Sequence, residues 1–394
     1  MISSVEIIRK RVGLTQTELS NKVGISRRAL SSIEKSVSVP SVDIALKLAT
    51  ILNTTVEELF CISDTTAESE VAISTPIVPS QSHNHKWDTF KFIDLFAGIG
   101  GIRLGFESVG GQCVFSSEFD EDACKTYEAN FGEHPSGDIT KINAKDIPDF
   151  DILLGGFPCQ AFSIIGKKEG FSNETCGTLF FDIERILKAK RPSAFMLENV
   201  RNLVAHDNGN TFKVIREHLE ALGYTVHAKV LNALDYGVPQ KRERIIIVGF
   251  LKDIPFEFPK PVSESERLTL SNILEEDVDT RYYVKESIKQ SRLERLHDKD
   301  YPKPYISHEN MSGSVTPHPY SSALRAGASA NYILINDERR PTEREMLRIQ
   351  GFPDTFKIVL PYSKVKKQCG NSVAVPVIKA VATEMLRSLR EYDE

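Results

Sequence analysis

The stretch GGFPCQAFS, running from Gly155 to Ser163, sets Cys159 between a proline and a glutamine. A thiol can act as a thiolate nucleophile, as half of a disulfide or as a metal ligand. The six cysteines stand at 61, 113, 124, 159, 176 and 369, and none forms the C-x-x-C pair of a redox or zinc site, so no metal is expected. Taken alone, Cys159 is well explained as a small hydrophobe filling a gap. Its setting argues for more. DILLGG has the apolar run of a buried strand, and Gly155, Gly156 and Pro158 open a loop at that strand's carboxyl end, where open α/β sheets bind their ligands. Two further polar groups sit at strand ends where packing needs none: Glu198 in MLENV and the arginines of QKRERIIIVG. No histidine stands nearby in sequence to pair with the thiol.

A second cluster reads as a nucleoside site. FIDLFAGIGGIRLGF places Gly98, Gly100 and Gly101 between a strand and a helix, where glycine lets the backbone turn tightly and approach a ligand. Glu118 follows at the end of the next strand, at about the twenty-residue distance that suits ribose hydroxyls. Asp138, in SGDIT, lies where it could accept from an adenine amino group. The third small residue of a dinucleotide-binding loop is missing, because Arg103 occupies that place. This disfavours a pyrophosphate and favours S-adenosyl-L-methionine, which has no phosphate to hold.

These residues need a scaffold, and alternation supplies one. FKFIDLF, CVFSSEF, DILLGG, AFMLENV and ERIIIVGF read as strands, separated by the helical patterns GIRLGFESVG, DEDACKTYEANF, TLFFDIERILKAK and FKVIREHLEALG. The order implies an α/β domain with a mostly parallel sheet and helices on both faces. The alternation spans residues 88–250, and VAVPVIKAVATEMLRSLR near the end of the sequence reads from its apolar spacing only as a core helix. Residues 251–338 break the alternation and are polar and loop-rich.

The first 63 residues have helix-period patterning and no strand signal. LTQTELSNKVGISRRALSSIEKS reads as a helix from Thr15, a turn at Val23 and Gly24, and a second helix capped by Ser26. Leu19, Val23, Ile25, Leu30 and Ile33 fall where crossing helices share a core, leaving Arg27, Arg28 and Ser31 outward, as in a DNA-reading helix-turn-helix. The segment resembles the Cro/Xre-type helix-turn-helix family. Residues 64–87 are rich in Ser, Thr, Pro and Glu and read as a flexible linker.

Residues 90–250 and 339–390 resemble the DNA (cytosine-5)-methyltransferases, through DLFAGIGG, GGFPCQAFS, ENV, QKRER, RRPTEREMLRIQGFPD and QCGNSVAVPV in that order. The resemblance implies a Rossmann-like, S-adenosylmethionine-dependent fold over 88–250 and 339–394, its final helix packing beside the first strand, with a small target-recognition domain over 251–338. In that domain SSALRAGASANY stands for the family's Thr-Leu element, with Ala323 replacing the threonine. It implies catalytic roles for Cys159, Glu198, Arg242 and Arg244. Around the cofactor it places Phe96, Gly98, Gly100, Glu118, Phe119, Asp138, Ile139, Pro158, Leu179, Asn371 and Val373, with Phe119 standing where many members have tryptophan. Gln160, Ser163 and Gln240 are implied DNA contacts. The expected partner is double-stranded DNA, with dimerisation through the N-terminal domain on an operator.

With 49 Lys+Arg against 54 Asp+Glu, the net charge of −5 requires any nucleic-acid surface to concentrate its cations locally. No apolar run approaches the ~18 residues of a membrane span and the first residues lack a signal-peptide core, so a cytoplasmic protein is expected. The leading expectation is the sequence-specific modification enzyme of a restriction-modification system, with an autoregulatory N-terminal domain. A transcription regulator with an idle methyltransferase domain is the alternative, and a tRNA methyltransferase is disfavoured because a major-groove reader has no use on A-form RNA.

Overall fold

Thr15 opens the first long helix of the computed structural model, which describes residues 2–3, 5, 8–9, 14–34, 40–52, 54, 56–61, 85–157, 179–296 and 300–393. The chain divides into two units, Met1–Gln81 and Ser82–Glu394. In the first, the Thr15 hydroxyl accepts from the Glu18 N–H at 3.2 Å and the Glu18 carboxylate accepts from the Thr15 N–H at 2.7 Å, a reciprocal cap on α1 (Gln16–Val23). Gly24 ends that helix at φ 79°, and the Ser26 hydroxyl accepts from the Ala29 N–H to start α2 (Arg27–Glu34). Helices α3 (Val42–Leu52) and α4 (Val56–Leu59) complete the bundle over a core that includes Leu19, Val23, Leu30, Ile33 and Leu48. Against the all-helical reading, Ile2–Ser3 pairs antiparallel with Phe60–Cys61, a ladder too short to leave a periodic signal.

The second unit is built on six strands: β1 (Phe90–Leu95), β2 (Gly111–Ser117), β3 (Ile152–Gly156), β4 (Ala194–Val200), β5 (Thr225–Asn232) and β6 (Glu243–Phe250). Their order is β2-β1-β3-β4-β6-β5, and β6, antiparallel to both its neighbours, is the one reversed strand. Alternate residues feed two cores. Ile152, Leu154, Met196, Ile246 and Val248 face one side, while Leu153, Phe195, Leu197, Ile245 and Ile247 face the other. The first side packs on α5 (Gly101–Glu107). The second packs on α7 (Leu179–Lys190) and α8 (Asn210–Ala221), while α6 (Glu121–Phe131) follows β2.

Beyond β6, α9 (Glu286–Arg295) precedes a small antiparallel sheet of β7 (Ile306–Glu309), β8 (Val315–His318) and β9 (Ile333–Ile335). This region shares a core with α10 (Glu343–Ile349) and α11 (Tyr362–Asn371), where Ile306, Leu324 and Ile333 meet Met346, Leu347 and Cys369. The final helix, α12 (Val375–Asp393), returns to the first face of the large sheet. Gly105 permits its close approach, since a Cβ there would sit 2.5 Å from Ile378 Cγ2. Trp87, which composition assigned to the linker, is 1% exposed and donates from Nε1 to Asp393 at 2.8 Å, so it belongs to this unit. Among the described residues no helix is long and apolar enough to cross a membrane.

Candidate functional site

The carboxyl ends of β1, β2, β3 and β4 bring together most of the residues singled out in the sequence. After β1, Phe96 and Gly98 adopt φ of 56° and Gly100 of 83°, a tight turn into α5. Glu118, at the end of β2, stabilises that turn: its Oε2 accepts from the Gly98 N–H at 2.8 Å while Oε1 accepts from the N–H groups of Phe119 and Asp120. A Cβ on Gly98 would meet nothing within 4 Å, so the loop has open space above it. A Cβ on Gly101 would lie 2.8 Å from Ser372 Oγ and 2.9 Å from Val373 Cγ2, which places the start of α5 against the segment after α11. Phe119 is 73% exposed, an unusual cost for an aromatic ring with no ligand to cover. Asp138 accepts from the Thr140 N–H and hydroxyl, and those bonds, the hydroxyl first, hold its pKa below the usual carboxylate value. Ile139 is buried, Leu179 is half-buried at the head of α7, and Asn371 is exposed at the end of α11. The carboxylate acceptors, the open turn and the exposed ring fit an adenosine-type ligand with an amino-acid tail.

Arg103, read as too large for a dinucleotide fold, is buried with its guanidinium 4.3 Å from the Phe131 ring centre and its Nη1 3.0 Å from the Tyr127 hydroxyl. Close beneath the loop lies Asp94, fully buried, with neither carboxylate oxygen hydrogen-bonded. Burial pushes its pKa up to about 8. The folded value therefore lies above the unfolded one near 3.8, and the stability carried by the neutral acid is complete below about pH 4 and lost as pH rises through about 8. Asp94→Asn is expected to flatten this dependence and to raise the thermal midpoint at pH 9, relative to wild type, by on the order of 3 °C. Thermal melts of both proteins from pH 5 to 9 check it.

The second cluster sits one strand over. Glu198 on β4 pairs with Gly156 on one side and Ile246 on the other. Its Oε1 lies 3.0 Å from Arg244 Nε on β6, but no aligned hydrogen bond satisfies that oxygen, an open acceptor in a side chain only 12% exposed. Asn199, which sequence reasoning passed over, donates to the Phe157 carbonyl at 2.9 Å and so fixes the exit of β3. Its place in the ENV triplet was the available signal. Cys159, Pro158, Gln160 and Ser163 lie outside the described residues. A small pocket beside the carboxylate is lined by Glu198, Arg242 and Arg244 on its polar side and by Leu231, Val373 and Val377 among its apolar residues.

Two assignments change. Gln240, expected to touch DNA, is fully buried: its Nε2 donates to the Ile349 carbonyl at 3.0 Å and to Gln350 Oε1 at 2.9 Å, and its Oε1 accepts from the Leu324 N–H. Its amide is already engaged inside the protein, so it is a strut between the two halves of the fold. Gln240→Ala is expected to lower the thermal midpoint by several degrees with or without DNA, because buried partners lose their hydrogen bonds at about 1–3 kcal/mol each. A DNA contact would leave the DNA-free midpoint unmoved. Arg242, expected beside the substrate, is also buried, and its terminal nitrogens donate to the carbonyls of Leu324, Gly370 and Ser372. It lines the pocket beside Arg244 while its terminal nitrogens brace the surrounding backbone.

In the first unit Arg27 is exposed and Ser31 half-buried on α2, the helix that also carries Arg28. The RRPTERE segment explains itself structurally: Arg339 forks onto the buried Glu345 with two contacts of 2.7 Å, and the same carboxylate accepts from the N–H groups of Thr342 and Glu275.

Comparison with known proteins places both units. Residues 90–387 match the family model for C-5 cytosine-specific DNA methylases, and residues 5–59 match a helix-turn-helix model. The Type II methyltransferase M.HaeII of Haemophilus aegyptius is 61% identical over 302 residues, covering 76% of this chain and 94% of the relative. The Type II methyltransferase M1.ScrFI of Lactococcus lactis subsp. cremoris is 43% identical over 400 residues, covering 97% and 94%. The crystal structure of S. pombe Dnmt2 methyltransferase superposes with a TM-score of 0.58 at 19% identity, over 77% of this chain and all of the other, a likeness of fold.

Proposed function

The chain belongs to the C-5 cytosine-specific DNA methylases, and from that premise we propose that it transfers the methyl group of S-adenosyl-L-methionine to cytosine C5 in one duplex sequence while its helix-turn-helix unit represses its own promoter. It is a DNA cytosine-5 methyltransferase of the Type II restriction-modification kind, as its relatives are. The observation that carries the reading is the Glu198–Arg244 pair, set beside the end of β3, three residues past which the sequence places Cys159.

The residue types follow from the reaction. Cytosine C5 is a weak nucleophile. Addition of the Cys159 thiolate to C6 forms an S–C6 bond and moves ring electron density to C5. Glu198 hydrogen-bonds the ring N3 and delivers a proton there as negative charge develops, which its open Oε1 suits. Arg244 holds the base carbonyl and favours the ionised thiol. Once C5 has taken the methyl group, loss of its proton to water, return of the N3 proton to Glu198 and departure of the sulfur as thiolate restore the aromatic ring. S-adenosyl-L-methionine, when bound, supplies a methyl group activated by its sulfonium. Glu118 and Asp138 would hold its ribose and adenine, Phe119 would cover the adenine, and Asn371 and Val373 would meet its methionine end. The target carbon is buried in a duplex, so the base is flipped out before reaction.

Incubation with methyl-labelled S-adenosyl-L-methionine and either duplex DNA or tRNA tests this directly. Label is expected in 5-methylcytosine of the duplex. Label in tRNA alone, or in neither, rejects the reading. Replacing Arg27 and Arg28 together by alanine should remove promoter binding and leave methylation intact, and parallel loss of both activities would reject separate roles for the two units.

A further inference from the structure

On the methylation reading, we propose that Arg325 reads a guanine of the DNA site and that Lys366 is the residue positioning it. The segment from Leu324 to Ala328 has no regular secondary structure, yet its backbone is fastened by side chains from elsewhere in the fold. The Leu324 N–H donates to Gln240 Oε1 at 3.2 Å, and the Leu324 carbonyl accepts from Arg242 Nη1 at 3.2 Å. The Arg325 N–H donates to the Tyr332 hydroxyl at 3.0 Å. Lys366, a buried residue of α11, sets its Nζ 2.5 Å from the Ala328 carbonyl, 3.4 Å from that of Ala326 and 3.5 Å from that of Arg325. Gly370 makes the approach possible, because a Cβ there would fall 2.2 Å from the Ala326 nitrogen. A loop held this way gives up little further freedom on binding.

What the loop displays is Arg325, which is exposed. Its guanidinium lies over the Tyr332 ring, 4.9 Å from the centre, with Nη2 3.4 Å from His308 Nε2. Burial first, and the Arg325 charge next, lower the His308 pKa, so a neutral imidazole is available as acceptor. Among the described residues no carboxylate pairs with Arg325, whereas Arg292, Arg295, Arg339 and Arg348 in the same half each have one. Most of its donor fork is therefore unspent, and that fork matches the O6 and N7 acceptors of guanine in the major groove. Its place is also suitable. Arg242 lines the pocket with Glu198 and Arg244 and donates to the Leu324 carbonyl, so the residue before Arg325 is tied to the wall of that pocket, near which flanking base pairs would lie.

The full-length protein can be given a duplex library randomised in sequence, and the methylated molecules sequenced after chemical conversion. Wild type is expected to require guanine at a fixed position. Arg325→Ala should relax that position by about tenfold or more while the others keep their preferences, and Arg325→Lys, which keeps the charge and loses the fork, should behave likewise. Lys366→Met should relax the same position, and Lys366→Arg should restore it. An unchanged profile for Arg325→Ala overturns the proposal. So does uniform weakening at every sequence with a salt slope smaller by about one, the mark of a phosphate contact. Lys366→Met with lowered thermal stability and an intact profile overturns the positioning role. A wild-type protein that methylates no duplex defeats the methylation reading itself, a result separate from these.

Discussion

Cys159→Ser is expected to abolish methyl transfer, with a loss on the order of 10⁴-fold or more, while promoter binding by the N-terminal unit stays intact. Serine preserves size but its hydroxyl does not ionise near neutral pH, so no anion is available to add to C6. The companion measurement uses duplex DNA with 5-fluorocytosine at the target. The carbon–fluorine bond cannot release a proton from C5, so elimination stops and the enzyme stays bonded through Cys159 to the base. Denaturing electrophoresis should show that adduct with wild type and not with Cys159→Ser. An active wild type that forms no adduct, or a serine variant that methylates at wild-type rate, would reject covalent addition.

Where the sequence was informative, the reason was periodicity or a demand that chemistry makes on residue type. Ile152 to Gly156, Ala194 to Val200 and Glu243 to Phe250 read as strands because both of their faces are buried, so apolar residues run through them without a polar row. Thr225–Asn232 went unread for the opposite reason: it is an edge strand, and Thr225, His227 and Lys229 on its less buried positions break the pattern. Helix α11 was equally hidden, since YSKVKKQCGN looks like a polar loop until Lys366 and Gln368 are seen to be buried against carbonyls of the 324–328 segment and of α6. Glu198 and Arg244 could be singled out because an ionisable side chain at a strand end needs a reason. Gln240 and Arg242, equally polar and two residues apart, could not be told from them, because only tertiary contacts reveal that their terminal nitrogens are engaged within the fold. The glycine turn was legible for its backbone freedom, but the grip of Glu118 on the Gly98 N–H is a contact between two strand ends that spacing alone does not show.

Glu198→Gln is expected to lower the rate of methyl transfer by about 10²–10⁴-fold with little change in DNA affinity. The substitution keeps shape and one acceptor oxygen, so β4 has no reason to move, and Arg244 keeps its 2.8 Å bond to the Glu243 carbonyl. What is lost is the proton that an acid can deliver to N3 as Cys159 adds, and with it the stabilisation of charge at the addition step. The same factor should therefore appear in the rate of adduct formation on 5-fluorocytosine DNA, which depends on addition. If Glu198 acted only by holding Arg244 through the 3.0 Å ion pair, Glu198→Gln would be matched by Arg244→Ala and partly rescued by Glu198→Asp. Delivery of a proton predicts instead that Glu198→Gln slows addition more than Arg244→Ala does. Adduct formation at the wild-type rate in Glu198→Gln would remove the glutamate from the addition step altogether.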